Sequence, residues 1–187
     1  NEYITFPQTD FKGGSGTVSY SFWVKPATYG NPTGTQNYGY FISNSSTGGG
    51  IAYSEGGTGL GLTPGQVYIY NMTNAGAVAT LTSTFIDENV WNNIIVVFNT
   101  GNIVQFYKNG ILSSTLTGIT SFNSTWDTIA ARRYSGGVNN ELKGNLSEFS
   151  IFNYALGESQ VTYLYNLNNP MAITGAKPVA YWPLGDN

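Results

Sequence analysis

A pair of apolar runs near the middle of the chain, residues 91–110 (WNNIIVVFNTGNIVQFYKNG), most constrains what the chain can fold into. Residues 94–98 and 103–107 are rich in β-branched and aromatic side chains, and a polar Asn-Thr-Gly-Asn break separates them. This pattern predicts an antiparallel hairpin. Asn109-Gly110, followed by apolar residues, predicts a second tight turn of type I′. The stretch is therefore predicted to be a three-stranded meander at the centre of an all-β domain.

The other segments of the chain agree with an all-β domain. Residues 17–25 alternate, with Val18, Tyr20, Phe22 and Val24 on one face and mostly polar residues on the other. This spacing predicts a half-buried antiparallel strand. Many short strands with frequent Gly-rich turns predict two packed antiparallel sheets, a jelly roll or a related sandwich, in a single domain over residues 1–187.

One short helix is predicted over residues 158–167. Gly157 stands at the N-cap position, and Gln160 stands at N3 as in a capping box. An apolar stripe recurs at helical spacing, formed by Val161, Leu164 and Tyr165. Pro170 is predicted to end the segment.

Composition excludes several classes of function. Only 9% of the residues are charged, the net charge is −3, and the seven Lys and Arg are scattered, whereas nucleic-acid binding needs clustered cations. The chain contains no Cys and no His, which excludes disulfides, thiol nucleophiles, His-ligated zinc and Ser-His-Asp catalysis. No apolar run reaches the length of a membrane span. Neither nucleic acid nor membrane insertion is therefore expected.

Three blocks resemble laminin-G-like jelly rolls of the concanavalin A-like lectin/glucanase superfamily. Residues 17–26 (TVSYSFWVKP) resemble the family's "SFWVKP" strand, residues 91–110 its central strand pair, and residues 144–165 its closing strand and helix. The tail PVAYWPLGDN resembles the family's opening strand, displaced to the far end. We therefore expect residues 170–187 to be either a returning strand or the start of a neighbouring segment, in a fragment of a longer chain.

The resemblance implies a non-catalytic carbohydrate-binding or adhesion module, placed outside the cell or on a virion surface. Its partners would be glycans or surface polysaccharide. The alternative is a structural or assembly module, such as a capsid decoration, fibre or tail domain, that binds protein partners or copies of itself. The low charge and the abundance of Asn and Tyr suit such a polar interface.

A glycoside hydrolase is the remote alternative, because some members of the superfamily are glucanases. Such enzymes need two carboxyl groups about 5–10 Å apart. The E-x-D-x-x-E run of the retaining glucanases is absent, and the adjacent Asp87 and Glu88 would point to opposite sides of a strand. Glu148 matches the family's acidic position in its closing strand, where a structural hydrogen bond is expected. The chain is predicted not to be an enzyme.

Ca²⁺ is the cofactor that the resemblance leaves open. Many relatives hold a hard cation at the sandwich rim with Asp, Asn and carbonyl oxygens. Asp10, Asp127 and Asp186 could contribute here, although no spacing in the chain forms a calcium loop.

Two loops supply the candidate glycan contacts, because sugar recognition combines aromatic rings with amide, hydroxyl or guanidinium donors. The first loop and the strand after it offer Tyr29, Asn31, Asn37 and Tyr38. The second region offers Trp126, Arg132, Arg133, Tyr134 and Asn139. For Tyr38 and Trp126 the alternative is packing in the core, and for one of the arginines it is a brace at the sheet edge.

Overall fold

The fold is built from antiparallel β-strands, which the computed structural model describes over residues 3–28, 38–56, 62–70, 79–119 and 125–185. Within these ranges the strands are β1 (Ile4–Asp10), β2 (Val18–Pro26), β3 (Tyr38–Ser43), β4 (Gly50–Ser54), β5 (Gln66–Tyr70), β6 (Ala79–Phe85), β7 (Asn92–Asn99), β8 (Ile103–Lys108), β9 (Ile111–Leu116), β10 (Thr125–Ile129), β11 (Arg132–Tyr134), β12 (Gly137–Asn139), β13 (Gly144–Phe152) and β14 (Ala180–Trp182). A helix, α1 (Glu158–Leu167), and a 3-10 turn (Pro170–Ala172) lie between β13 and β14.

Two six-stranded sheets form the sandwich. The front sheet has the order β1-β10-β3-β4-β5-β6, and the back sheet has the order β14-β13-β2-β7-β8-β9. All neighbours in both sheets pair antiparallel. A separate two-stranded hairpin consists of β11 and β12. The predicted all-β jelly-roll sandwich with a short helix is confirmed.

Aromatic side chains join the two sheets in the core. The ring of Phe22, on the back sheet, lies 4.6 Å from that of Phe41, on the front sheet, measured between centroids. Phe22 also stacks on Phe149 of β13, at 5.2 Å. Trp126 on β10 donates its indole N–H to the hydroxyl of Tyr20 on β2, at 2.7 Å. This bond gives two large buried rings a polar partner, so that neither leaves an unsatisfied group in the core.

The central hairpin has the predicted form. β7 and β8 pair from Ile94 opposite Lys108 to Asn99 opposite Ile103. At the following turn Asn109 and Gly110 both have positive φ, 51° and 77°, which a type I′ turn requires at its two central residues. Asn and Gly tolerate that conformation better than other residues, so the sequence determines the turn.

The prediction for β2 is half confirmed. Val18, Tyr20, Phe22 and Val24 all have no exposed surface and belong to the core. The opposite face is not the solvated one expected, because Ser19 is also buried. Its hydroxyl donates to the carbonyl of Tyr154 at 2.8 Å and accepts from the amide of Leu156 at 3.0 Å. The segment leading into α1 therefore covers this face of β2.

The outer face of the back sheet is covered by α1. Val161 and Leu164 of the helix are buried in one cluster with Ile95, Val97 and Phe152 of the sheet. The amide of Gly157 donates to the side-chain oxygen of Gln160 at 3.0 Å, which is the half of a capping box that a glycine N-cap allows. At the other end Asn168 caps the helix in the left-handed conformation, with φ 45°.

The tail lies within the sandwich as an edge strand. β14 pairs antiparallel with β13, with Trp182 opposite Phe149. The indole of Trp182 lies 5.1 Å from the ring of Phe6 and 6.2 Å from that of Phe149, between centroids. Residues 180–182 therefore form the outermost strand of the back sheet beside β13.

Candidate functional site

Tyrosine side chains cover the outer face of the front sheet. Tyr40 on β3, Ala52 on β4 and Tyr68 on β5 lie directly opposite one another in register and share this face. Alternation places Tyr38 and Tyr70 on the same face, because side chains two residues apart on a strand point the same way. The ring of Tyr38 meets that of Tyr68 edge-on, at 5.5 Å between centroids.

Gly50 makes room for one of these rings. A Cβ at this position of β4 would lie 2.7 Å from Cδ1 of Tyr40 and 2.2 Å from the carbonyl oxygen of Ile42. No larger residue fits without moving backbone. The absence of a side chain at Gly50 therefore lets the ring of Tyr40 approach the backbone of β4.

Arg132 lies above three tyrosine rings. Its guanidinium carbon is 5.1 Å from the ring centre of Tyr134, 5.5 Å from that of Tyr70 and 5.9 Å from that of Tyr40. Such distances allow cation–π attraction to each ring. The Nε–H of Arg132 donates to the carbonyl of Gly48 at 3.0 Å, which fixes the orientation of the guanidinium plane. We call Tyr40, Tyr70, Arg132 and Tyr134 the Tyr–Arg cluster.

The hairpin of β11 and β12 positions the arginine. Arg132 and Tyr134 alternate on β11 and therefore share one face, with Arg133 on the other. Ser135 and Gly136 form the turn and both have positive φ. The amide of Arg133 donates to the hydroxyl of Ser43 at 3.3 Å, which ties the hairpin to β3.

The turn between β3 and β4 contacts the Tyr–Arg cluster through Gly48. The side-chain oxygen of Asn44 accepts from the amides of Ser46 and Thr47, at 2.8 and 3.0 Å. Gly48 has φ +65°, and a Cβ there would lie 2.7 Å from a terminal guanidinium nitrogen of Arg132 and 2.8 Å from the ring of Tyr134. A glycine is therefore needed both for the turn and for the close approach of the arginine.

Asp127, one of the candidate calcium ligands, lies on β10 and is hydrogen-bonded to the same turn. Its carboxylate accepts from the amide and hydroxyl of Ser45 and from the hydroxyl of Thr128. Across the described ranges, no group of three or more acidic side chains is placed to hold a metal ion. Of the other candidate ligands, Asp10 accepts from the amide of Lys12, and Asp186 lies outside the described residues.

Burial keeps the tyrosine hydroxyls neutral. It raises the pKa of Tyr40 well above the usual range of a phenol, and the charge of Arg132 opposes the shift. Burial raises the pKa of Tyr68 as well, and the neighbouring Tyr40 and Tyr38 add to it. A phenol that stays protonated remains a hydrogen-bond donor.

The predicted site residues separate into three groups. Tyr29, Asn31 and Asn37 lie outside the described residues. Arg132, Arg133, Tyr134 and Asn139 come together on the hairpin, where Arg132 pairs with Asn139. The other two predicted residues, Tyr38 and Trp126, are buried.

The prediction for Trp126 is corrected, because its side chain has no exposed surface and its indole N–H is used by Tyr20. Tyr38 is buried and packs edge-on against Tyr68 of the front sheet.

The candidate residues predicted from the sequence did not include Tyr40 and Tyr70 of the Tyr–Arg cluster. The signal that could have found them is the Tyr-x-Tyr spacing of residues 38–40 and 68–70, which puts four rings on one face.

A concave region lies away from the Tyr–Arg cluster, at the edge between the sheets. It is a cavity of about 660 Å³ lined by Tyr3, Ile129, Leu142, Leu146 and other residues of the sheet ends. Most of the described residues that line it are apolar, and none of these carries a charged side chain.

Comparison with known families identifies the scaffold. The model of a laminin G-type family, described as the concanavalin A-like lectin/glucanases superfamily, matches residues 1–162. The chain belongs to this superfamily. A comparison with curated protein sequences finds no significant match. No helix among the described residues is long and apolar enough to cross a membrane.

Solved structures with the same fold are distant in sequence. The chain resembles a heptameric SAP-like pentraxin of Limulus polyphemus at 16% identity and a TM-score of 0.60, over 89% of this chain and 76% of that one. It resembles domain 4 of an extracellular arabinanase of Geobacillus stearothermophilus, in complex with arabinotriose, at 19% identity and a TM-score of 0.54, over 84% and 70%. It also resembles the enzymatically active domain of tailspike protein 2 of bacteriophage CBA120, at 10% identity and a TM-score of 0.60, over 97% and 28%.

Proposed function

We propose that the chain is a non-catalytic carbohydrate-binding module and that the Tyr–Arg cluster contacts the glycan. The observation that carries the proposal is the pairing of Tyr134, 45% exposed, with Arg132 at 5.1 Å. An aromatic face packs on the apolar side of a sugar ring, and a guanidinium donates to its hydroxyls. The cluster presents both groups on the β11–β12 hairpin, which is hydrogen-bonded to the front sheet through Ser43.

The relatives support the same class of ligand. The superfamily is named for lectins, and the arabinanase domain was solved with arabinotriose. An extracellular or virion-surface setting, with surface polysaccharide as the ligand, is part of this proposal. The fold shared with a phage tailspike is compatible with that setting.

The positions of three acidic side chains support a non-catalytic role. Asp87 forms an ion pair with Lys108, and the buried Glu55 forms one with Lys143, each at 2.7 Å. Glu148 accepts a hydrogen bond from the hydroxyl of Tyr181 within a bulge of β13. Each carboxylate thus holds parts of the fold together. Steady release of reducing ends from any glycan in a library would contradict the proposal.

The test of binding is a glycan array with two matched variants. Tyr134→Ala removes the exposed ring of the cluster, and Tyr3→Ala removes a ring of similar exposure, 42%, at the edge cavity. We expect Tyr134→Ala to weaken binding about tenfold and Tyr3→Ala to leave it unchanged. Loss of binding in Tyr3→Ala alone would place the site at the cavity. No saturable binding by the wild-type protein would refute the proposed function.

An assembly module is the second candidate, and a surface opposite the Tyr–Arg cluster favours it. Ile111 is 73% exposed and Leu112 45% exposed at the start of β9, next to the Asn109-Gly110 turn, and Leu167 is 60% exposed at the end of α1. The turn and the helix are adjacent, because a Cβ on Gly110 would lie 3.0 Å from the ring of Tyr165. Exposed apolar side chains brought together in this way suit a protein interface.

Light scattering over a concentration series tests this candidate. An assembly module forms dimers or larger species that Ile111→Asp disperses. A protein that stays monomeric throughout, with and without the substitution, would count against the assembly role. The glycan-binding proposal is independent of that result.

A further inference from the structure

Two neighbouring arginines of the hairpin carry an inference beyond glycan binding in general. Among the described residues, Lys108 and Lys143 are paired with carboxylates, and Lys177 donates to the carbonyl of Ile173. Arg132 and Arg133 have no carboxylate partner within 4.0 Å in the described part of the chain. They are consecutive residues on opposite faces of β11, so one short hairpin carries two positive charges in an acidic protein of net charge −3.

Arg132 keeps some of its N–H donors available for a ligand. The rings of Tyr40, Tyr70 and Tyr134 lie near its guanidinium group, and its Nε–H donates to the carbonyl of Gly48. Its terminal NH₂ groups have no hydrogen-bond partner among the described residues. A guanidinium stacked on aromatic faces still donates in its own plane, and two parallel N–H groups match the two oxygens of a carboxylate.

The guanidinium of Arg132 is held in place before a ligand binds, which favours the binding of a small charged group. Three rings and one backbone carbonyl hold the guanidinium before any ligand arrives. A group already held in place loses little conformational entropy on binding. The raised pKa of Tyr40 keeps a negative charge from forming beside it.

The charge balance points to carboxylates rather than to densely sulfated or phosphorylated polymers. Such polymers are bound through clusters of many cations that release condensed counterions. Only two arginines lie on this hairpin, one on each face, and the net charge of −3 repels a dense polyanion. We infer, on the basis of the proposed function, that the chain prefers glycans carrying carboxylate groups, uronates or sialates, that Arg132 donates to the carboxylate, and that Arg133 adds positive charge from the other face of the hairpin.

Matched pairs of ligands test the inference by calorimetry. The probes are trigalacturonate against its methyl ester, and sialyllactose against lactose. We expect the acidic member of at least one pair to bind about tenfold more tightly than its neutral partner. We also expect this preference to shrink as the salt concentration is raised about tenfold.

Three variants connect the preference to the arginines. Arg132→Gln is expected to remove it, and Arg132→Lys to recover only part of it, because an ammonium lacks the planar fork. Arg133→Gln is expected to reduce it without touching the cation–π stack. Lys25→Gln, which removes a cation from β2 and the same unit of charge, is the control and is expected to leave the preference intact.

The outcomes separate the two proposals. Equal binding of acidic and neutral members would overturn the carboxylate inference and leave glycan binding standing. An unchanged acid preference in both Arg132→Gln and Arg133→Gln would also overturn it. Tighter binding of a sulfated glycan than of either carboxylate probe would assign the arginines to another anion. A blank glycan array would remove both proposals together.

Discussion

The outer faces of the two sheets are covered by different kinds of side chain and element. The back sheet buries Ile95, Val97 and Phe152 under α1, so its outer face is a second hydrophobic core. The front sheet carries tyrosines at the equivalent layer, with an arginine rather than a helix above them. Tyr40 and Tyr68 beneath the arginine are buried, whereas Tyr134, which contacts the arginine, is 45% exposed. The contrast separates a face packed under a helix from one on which we propose that a glycan binds.

The largest expected effect is on the covered face. Leu164→Ala removes a buried side chain between α1 and the back sheet, and we expect the free energy of unfolding to fall by about 3 kcal/mol. Leu167→Ala is the matched control on the same helix, because Leu167 is exposed, and should change stability by less than about 0.5 kcal/mol. Urea titration measures both. Loss of glycan binding by a folded Leu164→Ala variant would contradict the assignment of glycan binding to the front sheet.

The second prediction concerns alkaline pH and the tyrosine face. The pKa of Tyr68 is raised in the folded protein, so above pH 10.0, its ordinary value, the unfolded chain gives up this proton while the folded chain keeps it. The raised pKa of Tyr68 therefore has no effect on the free energy of unfolding below pH 10.0, and it lowers that free energy increasingly as the pH rises above this value. We expect Tyr68→Phe to gain about 1.4 kcal/mol over wild type at pH near 11 relative to pH 7.

The control for that prediction is Phe41→Leu, which changes a buried ring of the same sheet that has no hydroxyl to ionise. Its stability difference from wild type is expected to stay constant over the same pH range. Urea titrations at both pH values measure the two differences. A Tyr68→Phe difference that also stays constant would show that the hydroxyl ionises as readily in the folded protein as in water.

A third prediction separates backbone strain from contact with the site. Gly48→Ala and Gly16→Ala place a side chain at similar φ, +65° and +76°, but only the first meets Arg132 and Tyr134. Gly16→Ala should lose about 1 kcal/mol of stability from backbone strain, and Gly48→Ala at least as much, because its Cβ also meets Arg132 and Tyr134. Only Gly48→Ala is expected to weaken glycan binding, by about tenfold. Equal affinities in the two variants would mean that the position of Arg132 does not matter for the ligand.

The smallest expected effect lies at the end of α1. Asn168 holds a left-handed conformation, φ 45°, that glycine adopts without cost. Asn168→Gly should therefore raise the free energy of unfolding by about 0.5 kcal/mol, without changing glycan binding. The rise would be seen as a slightly higher midpoint of thermal unfolding. Asn166→Gly, inside the helix, is expected to lower stability by a similar amount.

Local patterns predicted the scaffold well. The period-two alternation of β2, the Asn109-Gly110 turn and the helix over residues 158–167 all depend on neighbours in sequence, which is why they could be found without a structure. The burial of Ser19 could not, because the segment that covers it lies more than a hundred residues away.

The site was predicted only in part for the same reason. The hairpin residues Arg133, Tyr134 and Asn139 were found as a polar, aromatic loop. That Arg132 would lie above Tyr40 and Tyr70 depends on the pairing of β3, β4 and β5 and on the way the hairpin folds back. Trp126 was misplaced because an aromatic residue near a loop has the same sequence pattern whether it points inward or outward.

The way the Tyr–Arg cluster is assembled affects how the protein folds. The hairpin of β7 and β8 closes between neighbouring residues, whereas the cluster needs Tyr40 and Arg132 to meet across more than ninety positions of the chain. Contacts of such long range form late, after shorter loops have closed. A glycan should therefore recognise only the completed sandwich. At a concentration of about 100 Kd it would stabilise the native state by about 2.7 kcal/mol and slow its opening.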